Sequence, residues 1–164
     1  MTSVLGIDPG NATGWCCYDI IAHRVTASGH FPEDQVPAPT AVPEWGNCLD
    51  VVLERPVAHG PTYPQVVDCA WFAGSLARLF RMRCDPGFFH VLIRRDIKRI
   101  LTDATAGDVR VKNDATAWAA LKLLHGGEAS AKKGGCLYGV KSHSRAALAV
   151  AVAWHLNETA KVKT

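Results

Sequence analysis

The chain lacks most of the signatures that assign a small protein to a class at a glance. Its six cysteines (Cys16, Cys17, Cys48, Cys69, Cys84 and Cys136) form no C-x-x-C pair, and no Cys/His set has zinc-finger spacing. They read as reduced, mostly buried, small apolar residues of a cytoplasmic protein. No apolar run approaches the length of a membrane span, and the N-terminus is not a secretory signal. There is no internal repeat, no low-complexity tract and no second-domain boundary. Charge of one sign is not in large excess either: the net value is +3, with a sequence pI near 8.6. Such a balance fits a nucleic-acid partner without requiring one.

What is present is an ordinary globular composition, 48% hydrophobic and 20% charged, over 164 residues. That length suits one domain with a sizeable core. Ser3 to Ile7 is short, apolar and β-prone, and it stops at Asp8-Pro9-Gly10. Thr13 to Ile20 and Arg24 to Phe31 read as two further strands joined tightly enough to pair as an antiparallel hairpin. Four prolines between 32 and 43 predict an irregular connection, with a short helix near Trp45 to Leu49. Val51-Val52-Leu53 then runs into Glu54-Arg55-Pro56, a buried-type strand stopped by proline.

Helical spacing of apolar residues covers Tyr63 to Arg83. Phe88 to Ile93 is a strand by composition, followed by a basic helical stretch from Arg94 to Arg99. Asn113 caps a helix from Asp114 to Leu124, and Gly126-Gly127 stops it. Glu128 to Gly135 reads as a mobile loop, and His143 to Asn157 as a closing alanine-rich helix. A hairpin followed by βαβ units implies an α/β domain with a mixed five-stranded sheet, antiparallel and parallel, flanked by helices.

Two carboxylates stand out chemically. Asp8 ends the first strand among Gly6, Gly10 and Gly14, where backbone can approach a ligand. Glu54 ends a hydrophobic strand, where a buried carboxylate needs a cation or metal to offset its desolvation. Each also has an ordinary reading, Asp8 in a common Asp-Pro-Gly turn and Glu54 in a surface pair with Arg55. Basic residues fall near Arg78, Arg81 and Arg83, and again at Arg94, Arg95, Lys98 and Arg99. Lys132 and Lys133 occupy a glycine-flanked loop, with Lys112 and Lys141 elsewhere. The 94–99 group and the lysines are the predicted phosphate contacts. Tyr63 and His59, in the loop after Glu54, have two readings, a contact to a nucleic-acid strand or part of a rigid proline turn. Trp71, Phe72 and Phe80 are expected in the core or at a dimer interface.

The Asp8 segment Gly6-Ile7-Asp8-Pro9-Gly10, Glu54 at the fourth strand and the C-terminal Ala147-Leu148-Ala149-Val150-Ala151 run resemble the RuvC-type Holliday-junction resolvases, especially phage-encoded members. That resemblance implies a ribonuclease-H-like fold, a homodimer and divalent-metal cleavage of branched DNA, such as a four-way junction. It also implies four metal-binding side chains: one on the first strand, one on the fourth and two on the last helix. Asp8 and Glu54 match the first two, and His143 stands at the third.

At the fourth position this chain has Ala146, which binds nothing. Three accounts of it stay open: a natural variant using Asp8, Glu54, His143 and water; an engineered loss; or a protein that kept junction binding alone. Ser144 and Arg145 share that turn and are expected to help position a phosphate. Magnesium is the expected cofactor, with Mn²⁺ substituting, since Mg²⁺ favours carboxylates and Mn²⁺ accepts nitrogen more readily. Two such ions, about 4 Å apart, activate a water and stabilise the leaving oxygen in phosphodiester hydrolysis. The rival readings are a silent junction-binding protein and a ribonuclease-H-like nuclease acting on RNA or RNA–DNA hybrids. A nucleotide-binding protein of the actin and sugar-kinase branch would need two such domains, and the length argues against it.

Overall fold

The computed structural model describes residues 3–10, 12–32, 45–46, 48, 50–56, 64–82 and 88–162. Among these residues, five strands and four α-helices follow one another as β1 (Ser3–Asp8), β2 (Ala12–Asp19), β3 (Arg24–Pro32), β4 (Asp50–Arg55), α1 (Pro64–Arg81), β5 (Phe89–Ile93), α2 (Arg94–Ala104), α3 (Asp114–Leu124) and α4 (His143–Val162). The strands form one sheet in the order β3-β2-β1-β4-β5. The predicted hairpin is there, as β2 and β3 pair antiparallel and β2 pairs antiparallel with β1. β4 lies parallel to both β1 and β5.

Strand alternation sorts the core into two layers. Leu5, Ile7, Val51 and Leu53 face one side, where they pack with Trp15, Trp45, Leu76 and Phe80 under α1. Val4 and Val52 face the other, against Ile97 and Leu101 of α2, Leu121 of α3 and the buried run Ala147–Trp154 of α4. A helix apolar on all sides is one enclosed by its neighbours, and every residue from Ala146 to Trp154 is buried.

The way α4 seats on the sheet explains two of the glycines. A Cβ on Gly6 would stand 2.1 Å from the Ala147 carbonyl oxygen, and one on Gly14 would stand 2.2 Å from that of His143. The sequence reading gave these glycines to the approach of a ligand. They serve instead the approach of a helix backbone.

Asn113 caps α3 as expected: its side chain accepts from the Thr116 amide, and Thr116 returns the bond to the Asn113 amide. Glu128 to Gly135 departs from the mobile loop predicted for it. A 3₁₀ turn spans Gly127–Ala131, Ser130 is buried and its carbonyl accepts from Leu137. Small residues and two left-handed glycines at 126 and 127 suit a tight turn as well as they suit a loose loop. Of the short helix predicted near Trp45, only residues 45, 46 and 48 are described; Pro32, the first of the four prolines before it, ends β3 paired with Ala12, and Pro37, Pro39 and Pro43 lie outside the described residues.

Candidate active site

Asp8 and Glu54 are the last in-line residues of two adjacent parallel strands, one step beyond the paired Ile7 and Leu53. Alternation turns both toward the face covered by α2, α3 and α4. Both are buried. In open parallel sheets the carboxyl edge of the strands is where ligands bind, and both carboxylates stand there.

A third chain segment reaches the same point. β5 ends at Ile93, and Arg94 opens α2 with no side-chain cap before it. Its guanidinium spans three carboxylates. Nε donates to Glu54 Oε1 at 2.5 Å, Nη2 to Asp8 Oδ1 at 3.1 Å, and Nη1 to Asp114 Oδ1 at 2.6 Å. Arg94 is 37% exposed and Asp114 66%, whereas the other two partners are enclosed. The node therefore has a dry floor and a wet rim.

Burial sets its electrostatics. Desolvation, reinforced by the neighbouring Glu54 charge, pushes the Asp8 carboxyl up to about 7, and Arg94 only partly offsets this. Glu54 is raised as well, by burial first and with Arg94 opposing. Arg94 is itself desolvated, but the pull of Glu54 and Asp8 exceeds that and holds it further into its charged form. Two side-by-side acids of this kind titrate as a pair.

The predicted three-residue metal set is not assembled. His143 begins α4 with its backbone against Gly14, the residue paired with Asp8; it is exposed, with its ring centroid 6.2 Å from that of His30. Among the described residues no group of three or more His, Cys, Asp and Glu side chains is placed to hold a metal ion. Asp8 and Glu54 alone are a different matter. Magnesium takes one or two protein carboxylates and keeps its waters, and this pair of hard oxygen donors already surrounds one cation, the Arg94 guanidinium. The donor set fits a magnesium ion in the guanidinium's place.

Of the predicted DNA contacts, the structure brings Arg94 and Lys98 to the site. Lys98, one turn after Arg94, lines a small pocket with Glu54, Arg94, Asp114 and Ala146. Arg95 and Arg99 are exposed on α2, Arg99 beside Asp103 at 3.5 Å. Lys112, Lys132, Lys133 and Lys141 are exposed. Arg145 lies over the Trp118 ring at 4.6 Å and donates to the Val140 carbonyl, so much of it is committed to packing. Ser144 is buried and donates to the Gly29 carbonyl at 2.8 Å, tying α4 to β3. That bond takes it away from the phosphate role expected of it. Tyr63 and His59 lie outside the described residues.

Asp114 was missed in the sequence. As the first residue of a capped helix it looks like an acid placed on the helix dipole, and nothing local signals its meeting with Arg94 twenty residues away.

A mixed five-stranded sheet of this order, flanked by helices, is a ribonuclease-H-like fold. Among solved structures the chain is similar to the Thermus thermophilus (T. thermophilus) RuvC in complex with a Holliday junction substrate, with a TM-score of 0.59 and 16% sequence identity over 96% of each chain. No protein-family model matches the sequence, and no curated protein does.

Proposed function

We propose that the chain is a structure-selective endodeoxyribonuclease that resolves four-way DNA junctions by metal-dependent phosphodiester hydrolysis. The observation that carries this reading is the pair of buried carboxylates, Asp8 and Glu54, at the carboxyl edge of adjacent parallel strands, closed around a cation. The junction-bound RuvC neighbour supports branched DNA as the substrate class. Asp8 and Glu54 would hold Mg²⁺, or Mn²⁺ in its place. When bound, the ion supplies Lewis acidity and a more acidic water for in-line attack.

The chain's own groups do the remaining work. Asp8 and Glu54 need a cation to stay ionised in their dry setting. Arg94, turned outward, and Lys98 meet a phosphate at the rim of the site. Arg95, Arg99, Lys112, Lys132, Lys133, Lys141 and the free edge of Arg145 neutralise the backbone of the arms, positioning DNA without reading its sequence. Tyr63 is proposed to touch the scissile strand. His143, exposed at the start of α4, is proposed to meet a phosphate of the DNA. The expected product is a nick with a 5′-phosphate.

The homodimer implied by the resemblance would suit α1. Val67 and Trp71, one turn apart, are 53% and 79% exposed. No helix among the described residues is long and apolar enough to cross a membrane, and action on DNA fits the cytoplasm of a bacterial or infected cell.

A second reading has its own observations. Ala146 supplies no ligand and Arg94 fills the carboxylate pair, as expected of a protein that binds junctions without cutting them. Nicking of a labelled four-way junction in Mg²⁺ and in Mn²⁺, with Asp8→Asn as control, separates the two. Cleavage by the wild type and binding without cleavage by Asp8→Asn is the expected result. Binding without nicking by the wild type in both metals supports the silent reading. Faster cutting of an RNA–DNA hybrid in direct competition would move the substrate class away from junctions.

A further inference from the structure

At the end of β2 away from Asp8 and Glu54, where Asp19 pairs with Ser3, three histidines from three segments gather near one buried hydroxyl. Tyr18 is 1% exposed, and its hydroxyl lies 2.8 Å from His125 Nε2 and 3.3 Å from His23 Nδ1. His23 belongs to the turn between β2 and β3, and His125 directly follows α3. His155, on α4, sets its ring 6.0 Å from that of His23.

Donors and acceptors fix where the protons lie. His125 Nδ1 stands 2.7 Å from the Leu121 carbonyl oxygen, which only accepts, so Nδ1 carries the hydrogen. In the neutral ring Nε2 is then an acceptor, and the Tyr18 hydroxyl donates to it. The Tyr18 oxygen is left to accept from His23 Nδ1. A proton on His125 Nε2 reverses the first bond, and the Tyr18 hydrogen must turn to His23. A second proton, on exposed His23, leaves two charged rings donating to one oxygen and the Tyr18 hydrogen without an acceptor. A buried polar group left in that way is costly.

Nothing beside the cluster offsets such charge. Among the described residues no carboxylate pairs with His23, His125 or His155. Asp19 is committed to its own turn, where Oδ1 accepts from the Ile21 and Ala22 amides, with Arg24 near it. Glu128 pairs with Lys122, and Glu158 with Lys161. The Cys16 and Cys136 thiols complete the titratable surroundings of Tyr18. Burial holds His125 below its ordinary 6.5 against the pull of the Leu121 carbonyl, and His23 adds to the effect; burial and His23 lower His155 as well. The unfolded chain therefore takes up these protons first. What the cluster contributes is complete above about 6.5 and is lost as the pH falls below it.

The same residues tie down the hairpin. Val25, opposite Tyr18 in the sheet, donates its amide to the Cys136 carbonyl at 3.0 Å, and the Cys136 thiol lies 3.9 Å from the His125 carbonyl oxygen. We propose that Tyr18, His23, His125 and His155 form a pH-sensitive latch, which holds the tip of the β2–β3 hairpin against α3 and α4 in neutral solution and releases it on acidification. The latch is independent of the nuclease reading.

The test is amide exchange of the full chain followed by NMR at pH 7.5 and pH 5.5, corrected for the intrinsic rate. A local reading is needed because the raised Asp8 carboxyl drives whole-molecule stability the opposite way. In the wild type the Val25 amide should lose protection on the order of tenfold at pH 5.5, as one unsatisfied buried group costs, while that of Val52 in the central sheet does not fall. His125→Gln offers Tyr18 an acceptor that takes up no proton, and should keep Val25 protected at both pH values. Imidazole nitrogen shifts of the wild type should place the His125 hydrogen on Nδ1 at pH 7.5 and its titration below 6.5.

Val25 protection that is unchanged in the wild type, or lost equally in His125→Gln, overturns the proposal. So does a His125 ring that carries its hydrogen on Nε2 at pH 7.5 or titrates above 6.5. That last measurement uses the wild type alone, and it decides the matter if the variant does not fold.

Discussion

At the scale of single residues, Arg94 is the group on which the site turns. It pairs with two enclosed acids, and a metal bound between them, as proposed, would have to displace it. Arg94→Gln leaves Asp8 and Glu54 facing each other without a cation. The cost to stability in EDTA should be somewhat below the ~3–5 kcal/mol of breaking a fully buried pair, because Arg94 is partly exposed. Millimolar Mg²⁺ should return most of it. Thermal melts of the variant with and without Mg²⁺ check this, and a variant as stable as wild type in EDTA would remove Arg94 from that role.

Asp8 gives the pH dependence a definite sign. Its folded-state value of about 7 lies above the ordinary 3.8, so the native chain retains a proton that the unfolded chain has lost. This contribution to stability therefore declines as pH rises from about 4 to about 7. Added Mg²⁺ should stabilise more at pH 8 than at pH 5, since it acts on the ionised pair. Chemical denaturation across that range measures it; a metal effect that shrinks with rising pH would run against the proposed site.

At the scale of elements, the seating of α4 against β1 and β2 decides whether the site exists. Gly6→Ala places a methyl 2.1 Å from the Ala147 carbonyl oxygen, a backbone atom that cannot swing aside. The loss should reach or exceed the ~1–3 kcal/mol typical of overpacking. Gly10→Ala, whose nearest added contact is 3.7 Å, is the control and should be mild in packing terms. A urea titration of both variants distinguishes them.

The elements also show what a sequence can disclose about this chain. Period-two strands, the tight hairpin and the Asn113 cap are local patterns, and they stand where local physics puts them. Asp8 and Glu54 were legible because a carboxylate ending an apolar strand calls for a partner. The purpose of Gly6 and Gly14 was not, since only the packed helix reveals what a Cβ would strike. Asp114 and the Arg94 node depend on contacts between segments distant in sequence, and an acid at a helix start has an ordinary local explanation. His143 was placed by resemblance, and among the described residues no three-ligand group forms around it.

At the scale of the molecule, a ribonuclease-H-like sheet presents its carboxyl edge as the working face and leaves α1 on the opposite layer. On the proposed function, that separation would leave one side for a dimer partner and the other for DNA. Trp71→Glu should convert a dimer to a monomer in light scattering while leaving the melting temperature of the domain close to wild type. A wild type that is already monomeric at working concentration would set the dimer aside.

The most direct measurement of the central claim is anomalous diffraction from a crystal soaked in Mn²⁺. The account predicts a peak between the Asp8 and Glu54 carboxylates, with the Arg94 guanidinium turned out of that position. Arg94 unmoved between the two acids, with manganese bound elsewhere or nowhere, would contradict it.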